Sequence, residues 1–141
     1  FTKLVESCGA MVVADRYCFG SIPGREQIEI REGETAFDAI CRHYLETSLC
    51  ARFMSGNKID QRHDMMEKLV KDYNADGIII ENMKFCEFWS YEKVLGSYIM
   101  INERNIPCCT IEKEYAVGSA GQLRTRFQAF VESLEIKKIN S

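Results

Sequence analysis

Three short apolar runs along the 141-residue chain predict buried strands. They are Ala10–Ala14, Gly77–Ile80 and Pro107–Ile111. None of them alternates regularly between apolar and polar residues. Continuous hydrophobicity of this kind is typical of parallel strands that are covered by helices on both faces.

Apolar residues also recur at helical spacing between and after these runs, which predicts amphipathic helices. Asp60 is a plausible first cap of one helix, and Ser90 of another. The predicted helices are Thr2–Ser7, Ala36–Thr47, Asp60–Asn74, a helix that begins near Ser90 and carries Val94 to Ile101, and Gln122–Glu135.

This order of helices and strands predicts an α/β fold. We expect a three-layer sandwich of the Rossmann or flavodoxin type, with a short parallel sheet and helices on both faces. The length predicts a single domain over residues 1–141. Because the chain opens at Phe1 in what reads as the end of a helix, we expect it to be a piece of a longer polypeptide.

Charge and hydropathy exclude several classes of function. The net charge of −3 gives no electrostatic case for binding nucleic acid. No apolar run approaches the ~18–20 residues needed to span a bilayer. We therefore expect no membrane contact and a cytoplasmic location.

The seven cysteines change the picture, because they are numerous and irregularly spaced. No C-x-x-C motif is present, so a zinc ribbon or a thioredoxin-type site is not expected. An ample predicted core makes a disulfide scaffold unnecessary. Reduced thiols are the expectation, and some of them should be core filler.

Topology directs attention to three of these thiols. Parallel strands end at one edge of a sheet, where open α/β folds place their chemistry. Cys18 follows the first predicted strand and Cys86 follows the second, while Cys50 precedes the helix that leads into the second strand. These three thiols can converge on the carboxyl edge, although a buried loop thiol remains an open interpretation for Cys86.

The other cysteines and the histidines are weaker candidates. Cys41 lies on the apolar face of its predicted helix and is expected in the core. Cys108 and Cys109 are predicted to point to opposite faces of one strand. Cys8 precedes the first predicted strand and is therefore expected at the edge of the sheet opposite the carboxyl edge. His43 is predicted to be solvated. Neither it nor His63 has a partner at metal-binding or triad spacing.

A second suggestive segment begins at Gly118 and leads into the last helix. Small residues deliver the chain to a helix start, a position that favours anions. Arg124 and Arg126 lie near that start, where positive charge is unfavourable for the helix dipole. They indicate either a negatively charged neighbour or a solvated basic patch with local acidic partners.

Four segments, in order along nearly the whole chain, resemble the C-terminal domain of the 2-hydroxyacyl-CoA dehydratase / benzoyl-CoA reductase family. The most specific elements are Lys84-Phe85-Cys86 and the pattern from Gly121-Gln122 to Thr125-Arg126. The other matches are Gly9–Gly20, Ala75–Cys86, and Asn105 to Glu112 followed by Glu114-Tyr115.

The resemblance implies a longer, multi-domain subunit that holds an iron–sulfur cluster, usually [4Fe-4S], between its domains. Cys86 matches the ligand that the last domain supplies, with Cys18 and Cys50 as weaker candidates. Lys84, Gln122, Arg124 and Arg126 are candidate contacts to substrate or partner. Phe85, Phe88 and Trp89 could exclude water.

The implied partners are an acyl-CoA substrate, a second homologous subunit and an ATP-dependent activator that delivers one low-potential electron. Dehydratases of the family use that electron to form a ketyl radical on the thioester, and reductases put electrons into an aromatic ring. Two alternatives stay open: a stand-alone iron–sulfur reductase of a small molecule, and a non-catalytic electron-transfer or regulatory domain.

Overall fold

The computed structural model describes residues 1–17, 21, 26–52, 55–114 and 120–140. Within them the chain forms a mixed α/β fold with five helices and one short parallel sheet. The elements in order are α1 (Thr2–Glu6), α2 (Ala36–Thr47), α3 (Gly56–Asp72), β1 (Ile78–Met83), α4 (Glu87–Asn102), β2 (Cys108–Lys113) and α5 (Ala120–Ile139).

The sheet pairs β1 with β2 in parallel, in a register that runs from Ile78 opposite Cys108 to Met83 opposite Lys113. Two of the three predicted strands are therefore confirmed. Helix α4 forms the connection between them. Because the strands are parallel, both end at the same edge, and α4 begins directly beyond that edge.

The prediction of a first strand at Ala10–Ala14 is wrong, because the structure describes these residues and they form no strand. This stretch has no strand backbone pairing. Ala10 and Val12 instead pack, partly buried, against a core cluster of Val5, Ile111 and Phe127. The apolar run correctly indicated burial, but hydrophobicity alone does not specify a backbone partner.

Helix α2 has the predicted bounds because its start is fixed by a capping box. The Thr35 side chain accepts from the Asp38 backbone N–H, and the Asp38 side chain accepts from the Thr35 N–H. The predicted caps of the next two helices are wrong. Helix α3 begins after Ser55, so Asp60 lies inside it, and the N-cap of α4 is Cys86 rather than Ser90.

Residues on the two faces of β1 contact different parts of the molecule. Ile79 packs against the cluster formed by α1, β2 and α5. Asn82, on the opposite face, hydrogen bonds to Ser90 of α4. Phe1 extends the first layer, with its ring edge-on to Phe127 at 5.5 Å between centroids.

Helix α2 presents its predicted apolar face to solvent. Phe37 is 73% exposed and Cys41 is also exposed, so the expectation that Cys41 lies in the core is wrong. The inward side of the helix carries Ala39 and His43, which are both buried. The prediction that His43 is solvated is therefore wrong. The periodicity identified an amphipathic helix but assigned the wrong face to the interior.

Within the described part of the chain, no helix combines the length and the apolar character that crossing a membrane requires.

Candidate functional site

Cys86 lies at the junction between β1 and α4, at the carboxyl edge of the sheet. A turn connects the two elements, and the Cys86 N–H donates to the Met83 carbonyl across 3.1 Å. Phe85 makes the turn possible by adopting a φ of +65°, in the left-handed region. A bulky residue rarely takes that conformation, and such strain is concentrated at functional sites.

The thiol of Cys86 is available for chemistry. It is free, only partly buried, and makes no side-chain capping hydrogen bond to its helix. The first N–H groups of a helix have no intrahelical acceptors, and together with the helix dipole they favour negative charge there. Because the thiolate is the form that binds metals, this position suits a metal-ligating cysteine.

The aromatic residues around Cys86 do not enclose it. Phe85 is 96% exposed and Phe88 is also exposed, whereas Trp89 is partly buried. The predicted exclusion of water by these three side chains is therefore not achieved within this chain.

Lys84 forms an ion pair across the ends of the two strands. Its Nζ lies 2.6 Å from Oε1 of Glu114, and its backbone N–H donates to the Lys113 carbonyl. The hydrogen bond to Glu114 raises the pKa of Lys84 above its ordinary value. Lys84, two residues before Cys86 in the sequence, thus remains charged, and Glu114 balances that charge.

A buried amide lies below the start of α4. Asn82 is 1% exposed, and its Nδ2 donates to Oγ of Ser90 across 3.0 Å. The Lys93 ammonium lowers the pKa of Glu112 on β2, and the Asn82 amide adds a smaller effect in the same direction.

The other face of the strand ends carries a second polar group. Glu81 pairs with Lys113 across 2.6 Å, and Lys113 also lies 5.0 Å from the centre of the Phe1 ring. Burial raises the pKa of Tyr17, and the nearby charges of Glu81 and Asp15 raise it further. Charged and polar groups therefore flank the carboxyl edge on both faces.

A charged cluster that sequence reasoning missed lies between α3 and α4. Arg62 is fully buried and its Nη2 lies 2.9 Å from Oε2 of Glu92, whose Oε1 lies 3.2 Å from Nε2 of His63. Gly96 of α4 packs against it, and a Cβ there would be in ordinary contact with the imidazole at 3.5 Å. The only sequence signal was Arg62 and His63 on the apolar face of α3, and their partner is about thirty residues away.

Among the residues that the structure describes, no other cysteine joins Cys86 in a metal site. Cys50 is partly buried between α2 and α3, and Cys18 lies outside the described residues. No group of three or more His, Cys, Asp or Glu side chains that could hold a metal ion occurs within residues 1–17, 21, 26–52, 55–114 and 120–140. Burial raises the pKa of Cys108 to about 12, with Cys109 contributing, which suits an interior thiol.

The candidate residues at the start of α5 have different environments. Arg126 donates from Nη2 to the Thr110 carbonyl of β2 across 2.7 Å. Gln122 and Arg124 are exposed. The acidic residues Glu112 and Glu114, which were candidates for the local acidic partners of these arginines, pair instead with Lys93 and Lys84. Gly118, where the segment begins, lies outside the described residues.

The fold and the site together define a mixed α/β domain with a free thiol at the carboxyl edge of its parallel strands. The 2-hydroxyglutaryl-CoA dehydratase D-component family matches residues 1–134, and the chain belongs to this family. The resemblance predicted from the sequence is therefore confirmed.

Two relatives support this membership. The chain is 30% identical over 132 residues to "Putative dehydratase subunit YjiM" of Escherichia coli (strain K12), a match that covers 94% of this chain and 33% of the relative. It is 39% identical over 62 residues to the lactoyl-CoA dehydratase subunit beta of Anaerotignum propionicum, covering 43% of this chain and 16% of the relative. The chain thus spans at most about a third of the length of these relatives.

Proposed function

We propose that this chain is the C-terminal domain of an iron–sulfur subunit of a 2-hydroxyacyl-CoA dehydratase, or of a related benzoyl-CoA reductase. The observation that carries the proposal is the family match over residues 1–134, with Cys86 free at the carboxyl edge of the sheet. The names of the relatives support a dehydratase subunit.

Cys86 is the residue in this chain that fits an iron–sulfur cluster best. Thiolates are the usual ligands of such clusters, and Cys86 presents a free, partly exposed thiol at a helix start. Since the described residues contain no group of three metal-binding side chains, a [4Fe-4S] cluster here requires ligands beyond these residues, and we propose that further domains supply them. Cys18 and Cys50 are the weaker candidates for an additional ligand.

The bound cluster would supply a single low-potential electron, received from an ATP-dependent activator, for radical chemistry on an acyl-CoA. This chain's residues would hold and orient one side of the site. The turn at Phe85 and the start of α4 would fix Cys86, and Lys84 would place positive charge beside it. Gln122, Arg124 and Arg126 are proposed contacts to substrate or partner, with Arg126 oriented by the Thr110 carbonyl.

The proposed architecture is a longer subunit of several α/β domains that pairs with a second homologous subunit. Within it, this domain would complete the predicted three-layer sandwich. The exposed apolar face of α2 supports packing against further protein, because an unpartnered apolar helix face is typical of an interface. Exposed Phe85 and Phe88 would exclude water only once such a neighbour is in place.

The experiment that tests this function uses the full-length protein, purified without oxygen together with its partner subunit and activator. With ATP and a low-potential reductant, we expect water loss from a 2-hydroxyacyl-CoA, assayed with 2-hydroxyglutaryl-CoA and lactoyl-CoA, or reduction of benzoyl-CoA. Iron and sulfide should be present in the purified protein. A protein that contains no iron and sulfide, or that transforms none of these thioesters, would contradict the proposal.

A further inference from the structure

Helix α4 is apolar on the face that it turns to solvent. Its inner face carries the buried residues Glu92, Gly96 and Met100 and packs on α3 and the sheet. Its outer face carries four large apolar side chains that are each between 47% and 66% exposed, and we call them the outer stripe: Tyr91, Val94, Tyr98 and Ile101. A surface helix normally has a polar outer face, so this apolar face is expected to be covered in the assembled protein.

The outer stripe has the spacing of a seam between two helices. Tyr91, Val94, Tyr98 and Ile101 follow one another at intervals of three, four and three residues, which is the a and d pattern of a heptad. This pattern places the four side chains along one line of the helix, where a second helix can pack against them. The spacing therefore favours a helix as the occupant of this face.

The order of the side chains in the outer stripe fits a second α4 that runs in the opposite direction. A two-fold axis level with Gly96 would place Tyr91 opposite Ile101 of the second copy. It would also place Val94 opposite Tyr98 of that copy. Each layer of the seam then joins an aromatic ring to an aliphatic side chain, which fills the space evenly. A parallel pair would instead place tyrosine on tyrosine and Val94 on Val94, so that crowded layers alternate with underfilled ones.

Charge does not oppose this pairing. A two-fold contact brings side chains near the axis against their own copies, so like charges there would repel one another. Residues 88–102 of α4 include only two charged side chains, and both lie away from the outer stripe. Glu92 is buried against Arg62, and Lys93 is paired with Glu112. The outer stripe can therefore meet its own copy without repulsion.

The exposed area of this face suits a contact between proteins. Large aromatic side chains bury about 150–250 Å² each, so the half-exposed outer stripe presents on the order of 500 Å². The partly exposed Leu95 and Ser97 flank the stripe and enlarge the face. Together they approach the ~800 Å² that each partner contributes to an interface of standard size.

We propose that α4 is the contact through which two copies of this chain associate, with their outer stripes packed antiparallel about a two-fold axis near Gly96. This inference goes beyond the proposed function and does not depend on it, because it concerns the mass of the protein in solution. Cys86 is the N-cap of α4, so the antiparallel pairing places the two copies of Cys86 at opposite ends of the seam. Sixteen helical residues separate these ends by roughly 24 Å.

The test is sedimentation velocity of the full-length protein without its partner subunit, in reducing buffer and over a range of micromolar concentrations. We expect a concentration-dependent dimer. Val94→Lys places a charge in the middle of the seam in both copies, and it should raise the dissociation constant of the dimer by at least ~100-fold, because each charge is buried without a partner. Since Val94 is 66% exposed in the single chain, this variant should melt like the wild type.

Ile136→Lys is the matched control, because Ile136 is a comparably exposed apolar residue, at 59%, on a different helix, α5. It should leave the dissociation constant unchanged. A wild-type protein that stays monomeric throughout the concentration range, including one that associates only with its partner subunit, overturns the inference. So does a dimer that Val94→Lys leaves intact or that Ile136→Lys weakens equally.

A charge exchange tests the antiparallel direction. Tyr91→Lys and Ile101→Glu should each weaken the dimer when introduced alone. Combined in one chain, they should give a tighter dimer than either single variant, because the lysine of each copy then faces the glutamate of the other. A double variant that dimerises no more tightly than the single variants overturns the antiparallel arrangement.

Discussion

At the scale of single residues, a buried charged cluster joins α3 to α4, the helix that has Cys86 as its N-cap. Arg62 and Glu92 face each other across α3 and α4 with almost no solvent contact, and His63 approaches the same carboxylate. A buried ion pair does not by itself make a protein more stable, but removing one partner leaves an uncompensated charge in the interior. The cluster therefore constrains how α4, and with it Cys86, sits on α3.

We predict that Glu92→Gln destabilises the protein by about 3–5 kcal/mol, because Arg62 loses its counter-charge while it remains buried. Chemical denaturation of the purified protein measures the effect. Glu132→Gln on α5 is the matched control, since Glu132 is exposed and should change stability by less than about 0.5 kcal/mol. Equal effects of the two variants would show that the buried pair has no special role.

A surface carboxylate provides a prediction about pH. Arg42 binds Glu34 at two points, at 2.7 and 2.8 Å, and the Arg31 N–H adds a third hydrogen bond. These contacts, that of Arg42 first, lower the pKa of Glu34 from 4.5 to about 2. Because the folded pKa lies below the unfolded one, the stabilisation is complete above about pH 4.5 and is lost as the pH falls towards 2.

We therefore predict that Glu34→Gln lowers the melting temperature at pH 7 and that the difference from wild type narrows between about pH 4.5 and 2. Melting curves across this range measure it. Glu32→Gln is the control, as Glu32 is exposed and should give a nearly constant, small difference. A wild-type advantage that persists unchanged to pH 2 would contradict the argument.

At the scale of elements, the sequence predicted the helices and strands whose ends are defined by local chemistry. The bounds of α2 follow from the Thr35 capping box, and both observed strands overlap predicted apolar runs but extend two or three residues beyond them. The stretch Ala10–Ala14 was predicted wrongly because strand pairing depends on a distant backbone partner. The burial of Arg62 was missed for a similar reason, since its partner Glu92 is on another helix.

One close approach between elements can be tested directly. Gly77 precedes β1, and a Cβ there would lie 2.8 Å from the Phe130 ring and 2.9 Å from the Pro107 carbonyl oxygen. The backbone oxygen cannot yield easily, so Gly77→Ala should cost about 1–3 kcal/mol of stability. Gly56→Ala is the control, because no atom lies within 4 Å of a Cβ at that position. The free energies of unfolding of both variants measure this effect. A Gly77→Ala variant that is as stable as the wild type would contradict the close approach at this position.

At the scale of the whole molecule, the candidate site is open on one side. Sequence topology and the family resemblance led to Cys86, and the structure places it at the carboxyl edge as expected. The resemblance also implied that further ligands lie on other domains, which no single-domain pattern can locate. The exposed residues Phe85 and Phe37 are consistent with missing neighbours.

We predict that residues 1–141 on their own bind no complete cluster after anaerobic reconstitution with iron and sulfide, because the proposed function takes the other ligands from further domains. Iron analysis of the desalted protein measures this. Four iron atoms per chain, the content of a [4Fe-4S] cluster, would contradict the prediction and would make Cys18 and Cys50 ligand candidates of equal rank with Cys86.

The most direct test of the account is the EPR spectrum of the reduced full-length protein with Cys86→Ala, recorded with iron and sulfide contents. We predict that the wild-type signal is lost or replaced by that of an incomplete cluster, with less iron per subunit. Cys41→Ala removes an exposed thiol on α2 and should leave signal and iron unchanged. A wild-type spectrum and full iron content in Cys86→Ala would contradict the assignment of Cys86 as a ligand.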